Sequence, residues 1–152
     1  MAIVVGVVVA DQLTKLWAVH RLRDGPIGVI GSDIGFRLGR NSGGAFSTFQ
    51  AFTPVLAIVA VVLTVILVRA VARTEDRMML VALALVLGGA LGNLMDRVFR
   101  SPGFLRGEVV DFIGVKSFPT FNVADSAITV GALLLVIAVL RAPDDDNAEA
   151  SA

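Results

Sequence analysis

Apolar residues along this chain fall into four long runs, and more polar segments separate them. A helix that crosses the hydrocarbon core of a bilayer needs about 20 predominantly apolar residues. The runs predict transmembrane helices at about residues 2–20, 51–71, 78–97 and 122–141. The first run holds Asp11 and Lys15 and lacks a basic start, so it does not fit a cleavable signal peptide. The pattern predicts an all-α integral membrane protein built as a bundle of four transmembrane helices.

Two of the connecting segments alternate apolar and other residues, as strands do. They cover residues 34–40 and 108–115, within the long connections 21–50 and 98–121. Four crossings place both long connections on the same side of the membrane. The two extended segments are therefore expected to form a small sheet that lies on the bilayer.

Basic residues indicate the orientation of the bundle. Arg69, Arg73 and Arg77 lie around the short turn between the second and third helices, and the positive-inside rule makes this turn cytoplasmic. Both termini are then cytoplasmic and both long connections extracytoplasmic, although each long connection also holds basic residues. We expect one membrane-embedded domain over residues 1–142 and a disordered acidic cytoplasmic tail over residues 143–152.

The composition narrows the chemistry that the chain could perform. Thirteen basic residues balance 13 acidic ones, so no net charge favours a nucleic-acid partner. The sequence has no cysteine and one histidine, His20, which removes disulfides, thiolate nucleophiles and zinc–thiolate sites. We expect no metal and no cofactor. Any catalysis must use carboxylates, hydroxyls, amides or lysine.

Several polar residues project to the same, extracytoplasmic end of the bundle. Asn93 lies one helical turn deeper than Arg97 on the same helix face. Asp11 lies roughly 13 Å below the end of the first helix, at about 1.5 Å per residue. Ionisable groups at that depth usually face a bundle interior or a water-filled cavity. The pattern predicts a polar pocket that opens outward, lined by Asp11, Asn41, Asn93, Asp96, Arg97, Asp111, Asn122 and Asp125.

Some of these residues also have a purely structural interpretation. Asn122 could cap the fourth helix, with Asp125 in its first turn near the positive end of the helix dipole. Asp111 is harder to explain in this way. It interrupts the apolar run 109–113, where a structural carboxylate has no evident partner in the sequence.

Ion pairing and helix packing are the structural alternatives for the remaining residues. Asp96 and Arg97 could form an ordinary interfacial ion pair. Asp11 and Lys15 are spaced to neutralise each other on one helix face. Small residues in the third helix favour close helix packing over contact with a cofactor; these are Gly88, Gly89 and Gly92.

Carboxylates at the mouth of a bundle suggest amide hydrolysis. Two carboxylates held close together share one proton near neutral pH, because both cannot ionise. The ionised one can act as general base on a water, while the protonated one polarises the scissile carbonyl and later protonates the leaving amine. The sequence contains no H-E-x-x-H zinc motif and no G-x-G-D motif of presenilin-type proteases. A dyad of Ser42 or Ser47 with Lys15 is disfavoured, because Lys15 is predicted to lie deeper in the membrane.

Five sequence blocks together resemble the lipoprotein signal peptidase (signal peptidase II) family. They are DQLTK at 11–15, NSGGAFS at 41–47, GGALGNLMDR at 88–97, VVDFI at 109–113 and FNVADSAITVG at 121–131. The blocks span nearly the whole chain. The last three together are highly specific, whereas the first alone would mean little.

The resemblance implies a fold, an activity and a site. The fold is four transmembrane helices with an extracytoplasmic β-cradle in the bacterial inner membrane. The activity is removal of the signal peptide from diacylglyceryl-modified prolipoproteins, just before the lipid-bearing cysteine. The family's catalytic aspartates fall on Asp111 and Asp125. Its residues that support this pair or contact the substrate fall on Asp11, Asn41, Asn93, Arg97 and Asn122.

The resemblance also implies partners. They are prolipoprotein substrates, membrane lipids and a globomycin-type inhibitor, and we expect a monomer. The alternatives are a small transporter or channel subunit and a structural membrane protein that oligomerises through its small residues. A conduit would need polar residues along its full depth, which the second and fourth helices lack. A purely structural protein would leave Asp111 unexplained.

Overall fold

The computed structural model describes residues 1–31, 33–42 and 53–141 of the chain. Four of its helices are long and apolar enough to cross a membrane. They are α1 (Ala2–Arg21), α2 (Thr53–Arg73), α3 (Arg77–Phe99) and α4 (Val123–Arg141). The prediction of a four-helix membrane protein is therefore confirmed. The expected acidic tail at 143–152 and the residue Ser47 lie outside the described residues.

Helix α3 is the centre of the bundle. It contacts α1, α2 and α4, and α1 also contacts α4. Its N-terminus is capped by Asp76, whose carboxylate accepts a hydrogen bond of 2.7 Å from the Met79 amide. Most large side chains of α2, by contrast, are exposed valine, leucine and isoleucine residues. Such a surface suits lipid contact, because every backbone polar group within a helix is already satisfied.

Glycines of α3 allow the neighbouring helices to approach closely. A Cβ atom added at Gly89 would collide with the Ala124 carbonyl of α4. A Cβ atom at Gly92 would lie 2.6 Å from Asp11 Oδ2 of α1. These glycines therefore serve helix packing, as the sequence suggested, and they bring α1 and α4 to the same level of α3.

Three strands form an antiparallel sheet in the order β1-β2-β3. They are β1 (Ile27–Ile30), β2 (Ile34–Asn41) and β3 (Val109–Val115). In the β2–β3 register, Gly39 lies opposite Asp111 and Asn41 lies opposite Val109. The two strands anticipated from the sequence are present, and β1 is an additional edge strand that the sequence analysis did not identify.

An aromatic cluster fixes the sheet to the end of α1. The Trp17 ring meets the Phe36 ring edge-on, with centroids 5.2 Å apart, and the Phe112 ring at 6.2 Å. Phe112 is buried together with Ala18 of α1 and Leu22, the residue that follows α1. Aromatic pairs of this geometry add about 0.5–1.5 kcal/mol to the area that they bury. The sheet is thereby held over the end of the bundle, and β3 delivers Asp111 to that end.

Candidate active site

Asp111 occupies the middle of β3 and is almost fully buried, with 3% of its surface exposed. Its neighbours Val110 and Phe112 are also buried. Asn122, just before α4, donates a hydrogen bond of 2.7 Å from Nδ2 to Asp111 Oδ1. Asn41 of β2 is a second hydrogen-bond partner of the Asp111 side chain. The partner that the sequence did not reveal is therefore supplied by tertiary structure.

Asp125 lies in the first turn of α4, where it takes part in a reciprocal cap. Asn122 Oδ1 accepts from the Asp125 backbone N–H at 2.9 Å, and Asp125 Oδ2 accepts from the Asn122 N–H at 3.2 Å. The capping role considered from the sequence is therefore present. Asp125 has a further partner, because Asn93 of α3 donates from Nδ2 to Asp125 Oδ1 at 2.8 Å. Asp125 thus belongs both to the cap and to the polar site.

Asn122 joins the two carboxylates. Its side chain is fully buried, and it donates to Asp111 while accepting from the backbone of Asp125. One residue therefore fixes the end of β3 relative to the start of α4. The two carboxyl groups interact electrostatically across this link.

The protonation of Asp111 reflects its surroundings. Burial, followed by the charge of Asp125, raises the pKa of the Asp111 carboxyl from 3.8 to about 6. Hydrogen bonds from Asn122 and Asn41 and the charge of Lys15 act in the opposite direction without cancelling the rise. A carboxyl group with this pKa retains its proton well above the range of an exposed aspartate.

A buried ion cluster, which consists of Asp11, Lys15 and Asp96, lies next to the carboxylate pair. Lys15 Nζ is 2.8 Å from Asp11 Oδ2 and 2.9 Å from Asp96 Oδ2, and all three side chains are inaccessible to solvent. Asp96 also pairs with Arg100 at 2.6 Å. The structure therefore gives Asp96 different partners from the Arg97 ion pair considered above.

The ion cluster is connected to the backbone that carries the pair. Asp11 Oδ1 accepts from the Ala124 N–H of α4 at 3.0 Å, and Asp96 Oδ2 accepts from the Val110 N–H of β3 at 3.0 Å. Gln12 donates to Asp11, to Asp96 and to the Gly92 carbonyl at 3.1–3.2 Å. The ion cluster therefore accepts hydrogen bonds from the backbone N–H groups of the residues that immediately precede the two proposed catalytic aspartates in the sequence.

Arg97 lies at the edge of the same site. Its guanidinium interacts electrostatically with Asp111, Asp96 and Asp125. Its Nη1 atom is buried and, among the described residues, has no hydrogen-bond acceptor. A buried donor without an acceptor is costly, by about 1–3 kcal/mol.

An apolar groove of about 500 Å³ leads to Asp125. Its walls include the edge-to-face pair Phe118 and Phe121, with centroids 6.0 Å apart, and the α4 residues Thr129 and Val130. A second groove of about 390 Å³ lies between β1, β2 and the end of β3 and is lined by none of the candidate residues. The first groove is the one that could guide an extended apolar chain to a carboxylate.

The structure brings together all the residues proposed from the sequence, namely Asp11, Asn41, Asn93, Arg97, Asp111, Asn122 and Asp125. Sequence reasoning placed Asp96 in the predicted pocket without giving it a role, and it left out Lys15 and Gln12 as parts of this site. The signal for Lys15 was its position one helical turn from Asp11 on α1, where a polar side chain is expected to face the bundle interior. Within residues 1–31, 33–42 and 53–141, no group of three carboxylate or histidine side chains is placed to hold a metal ion.

These features define an integral membrane protein whose polar site joins two carboxylates at one end of a four-helix bundle. A family model described as signal peptidase (SPase) II, Peptidase_A8, matches residues 3–141. The chain belongs to the signal peptidase II family. The resemblance noted in the sequence is confirmed, and neither a transporter nor a purely structural protein is favoured.

Curated relatives and solved structures agree with this membership. The chain is 46% identical over 147 residues to the lipoprotein signal peptidase of Rhodococcus jostii (strain RHA1), covering 95% of this chain and 74% of the relative. It is 43% identical over 138 residues to that of Streptomyces coelicolor (strain ATCC BAA-471 / A3(2) / M145), covering 90% and 68%. A solved structure titled "Bacterial membrane enzyme structure by the in meso method at 1.9 A resolution" is 34% identical. It aligns with a TM-score of 0.75 over 93% of this chain and 92% of that one.

Proposed function

We propose that this membrane aspartic peptidase removes the signal peptide from prolipoproteins with Asp111 and Asp125 as its catalytic pair. The observation that carries the proposal is that both carboxylates, from different elements, accept hydrogen bonds from Asn122: Asp111 from its side-chain amide and Asp125 from its backbone N–H. Their mutual repulsion and the burial of Asp111 keep one proton on the pair up to about pH 6. The other proposed residues of the site support the pair or bind the substrate backbone.

The proposed reaction is a direct attack of water on the scissile amide. The ionised carboxylate takes a proton from a water, and the water oxygen forms a bond with the carbonyl carbon. The carbonyl π electrons move to oxygen, where the protonated carboxyl donates a hydrogen bond. The guanidinium of Arg97, which interacts with both carboxyl groups, lies in the same site, and we propose that it binds a substrate carbonyl. When the tetrahedral intermediate collapses, the C–N bond breaks and the amine leaves with a proton from the pair.

The surroundings of the pair suit a substrate anchored in the membrane. Asp125 lies where an apolar groove meets the polar site, so a bond cleaved there lies at the level of the bilayer surface. A diacylglyceryl group on the cysteine after the bond would hold it at that depth, because each buried CH₂ contributes about 0.8 kcal/mol. We further propose that this site faces the extracytoplasmic side and that a globomycin-type inhibitor occupies it.

A matched pair of prolipoprotein substrates tests this function. Purified enzyme in detergent is given the same prolipoprotein with and without its diacylglyceryl group, over a range of detergent concentrations. The lipidated substrate is expected to be cleaved at the bond before the cysteine, and the other far more slowly. Equal rates for both substrates would refute the role of the lipid and indicate a general signal-peptide protease.

A further inference from the structure

The two proposed catalytic carboxylates are chemically identical, yet the reaction needs them in different protonation states. The hydrogen bonds around them are not equivalent. Building on the function proposed above, we propose that Asp111 carries the shared proton and Asp125 is the general base. We propose that Lys15 fixes this division by orienting the Asn93 amide.

Lys15 determines which way the Asn93 amide faces. The ammonium group of a lysine can only donate, so the atom 2.9 Å from Lys15 Nζ is Asn93 Oδ1. Asn93 Nδ2 then points to Asp125 and donates to its Oδ1 at 2.8 Å. A rotated amide would place its NH₂ group against the ammonium. Lys15 therefore directs a hydrogen-bond donor at Asp125.

The start of α4 orients the second amide in the same sense. Because Asn122 Oδ1 accepts from the Asp125 N–H, its Nδ2 faces Asp111 Oδ1 and Asn93 Oδ1. The backbone N–H of Asn122 donates to Asp125 Oδ2. Each oxygen of Asp125 thus accepts a hydrogen bond, and the carboxyl lies at the positive end of α4. Both features stabilise the ionised form.

The surroundings of Asp111, in contrast to those of Asp125, disfavour a charged carboxyl group. Asp111 is nearly inaccessible to solvent and lies between Val110 and Phe112, and burial penalises its charged form. Hydrogen bonds from Asn122 and Asn41 favour the charged form of Asp111, but burial outweighs them and its pKa remains raised. The nearly inaccessible Asp111 is therefore assigned the proton, and Asp125, which is only partly buried and accepts a hydrogen bond at each oxygen, is assigned as the base.

Charged groups on the other neighbouring elements do not reverse this assignment. Arg97 of α3 interacts with both carboxylates and more strongly with Asp111, yet the pKa of Asp111 still rises because burial outweighs the favourable charges. On α1, the charge of Lys15 is balanced by Asp11, and Asp96 of α3 is its other partner. What passes from the ion cluster to Asp125 is chiefly the direction of the Asn93 amide dipole. Lys15 is thus a positioning residue, not a catalytic one.

Infrared titration of the enzyme without substrate tests where the proton resides. The wild type should have a protonated-carboxyl band that disappears as the pH rises through about 6. This band should be absent from Asp111→Asn and retained in Asp125→Asn. In Asp125→Asn it should disappear at a lower pH than in the wild type, because the charge of Asp125 no longer repels the ionised Asp111. A band retained in Asp111→Asn and lost in Asp125→Asn would reverse the assignment. The readout needs no turnover, so it is independent of whether the pair cleaves prolipoproteins.

The pH dependence of kcat/KM tests the role of Lys15. In Lys15→Met, Asn93 Oδ1 loses its shorter hydrogen bond and keeps only the 3.2 Å bond from Asn122. The Asn93 amide is then held less firmly against Asp125, and the acidic limb of the pH profile should move upward by about one pH unit. Lys15→Arg keeps a charged group that can only donate hydrogen bonds. The acidic limb of its kcat/KM profile should stay at the wild-type pH even if the rate falls. Asp96→Asn alters the same ion cluster but leaves the Lys15–Asn93 bond, so its limb should also stay.

A double variant keeps this test decisive if Lys15→Met does not fold. The double variant Lys15→Met/Asp96→Asn removes one charge of each sign from the ion cluster, so it should be more stable than Lys15→Met alone. The acidic limb of its pH profile should stay displaced from that of the wild type. A uniform loss of activity at every pH, in the single or the double variant, would overturn the positioning role. Because each comparison is made on an enzyme that cleaves, this failure differs from a wild type that does not process prolipoproteins.

Discussion

The pKa of Asp111 predicts that replacing this residue stabilises the protein. The folded-state pKa of about 6 exceeds the ordinary value of 3.8, so the folded protein binds a proton that the unfolded chain has already lost. Below about pH 4 both forms are protonated and Asp111 costs nothing. As the pH rises to 6, folding becomes less favourable by about 1.4 kcal/mol per pH unit, or about 3 kcal/mol in total. Above pH 6 this reduction in the free energy of unfolding stays constant.

The Asp111→Asn variant removes this cost while it keeps an oxygen that can accept from Asn122. Its free energy of unfolding should equal that of the wild type near pH 4 and exceed it by up to about 3 kcal/mol at pH 8. The assay is thermal unfolding in detergent at both pH values, where the variant should unfold several degrees later at pH 8. Asp24→Asn, at an exposed position, is the matched control and should change little. A stability difference that does not grow between pH 4 and pH 8 would refute the reasoning.

Three further predictions follow from the ion cluster, the helix packing and the proposed chemistry. Asp11→Ala leaves the Ala124 N–H without its acceptor and removes one of the two carboxylate partners of Lys15, which keeps Asp96. Stability should therefore fall by about 1–3 kcal/mol along with activity, whereas Asp11→Asn should be milder; unchanged unfolding would contradict this. Gly92→Ala forces a Cβ atom against Asp11 and should lower stability by about 1–3 kcal/mol. The control Gly6→Ala meets no described atom within 4 Å and should be neutral. Equal melting temperatures for Gly92→Ala and Gly6→Ala would refute the close approach of α1 to α3. Cleavage should withstand EDTA, thiol reagents and serine-directed acylating agents, and loss with EDTA that zinc reverses would overturn the mechanism.

The helices and two of the strands could be predicted because each depends on a local pattern. Runs of apolar residues set the four helices, and alternation set β2 and β3. Strand β1 has four residues, Ile27–Ile30, with an irregular register against β2. Such a segment is too short to show alternation, and it forms only because β2 provides an edge.

The positions of the candidate residues could be predicted, but their connections could not. Asp11 and Lys15 are one turn apart, so their pairing is readable from spacing. The bond from Lys15 to Asn93 spans 78 positions in the sequence, and it depends on how closely α1 approaches α3. The bond from Asn122 to Asp111 depends likewise on tertiary structure, because it joins β3 to the start of α4. Contacts of this kind follow from tertiary packing, which no local pattern specifies.

Cleavage by the Asp111→Asn and Asp125→Asn variants tests the central claim most directly. Each variant is purified, shown to be inserted and folded, and assayed on a lipidated prolipoprotein beside the wild type and Asp24→Asn. Loss of either ionisable carboxyl removes the shared-proton pair, so each variant should be slower by about 10³-fold or more, with Asp24→Asn unaffected. Turnover by either variant within about tenfold of the wild type would contradict the assignment of Asp111 and Asp125 as the catalytic pair.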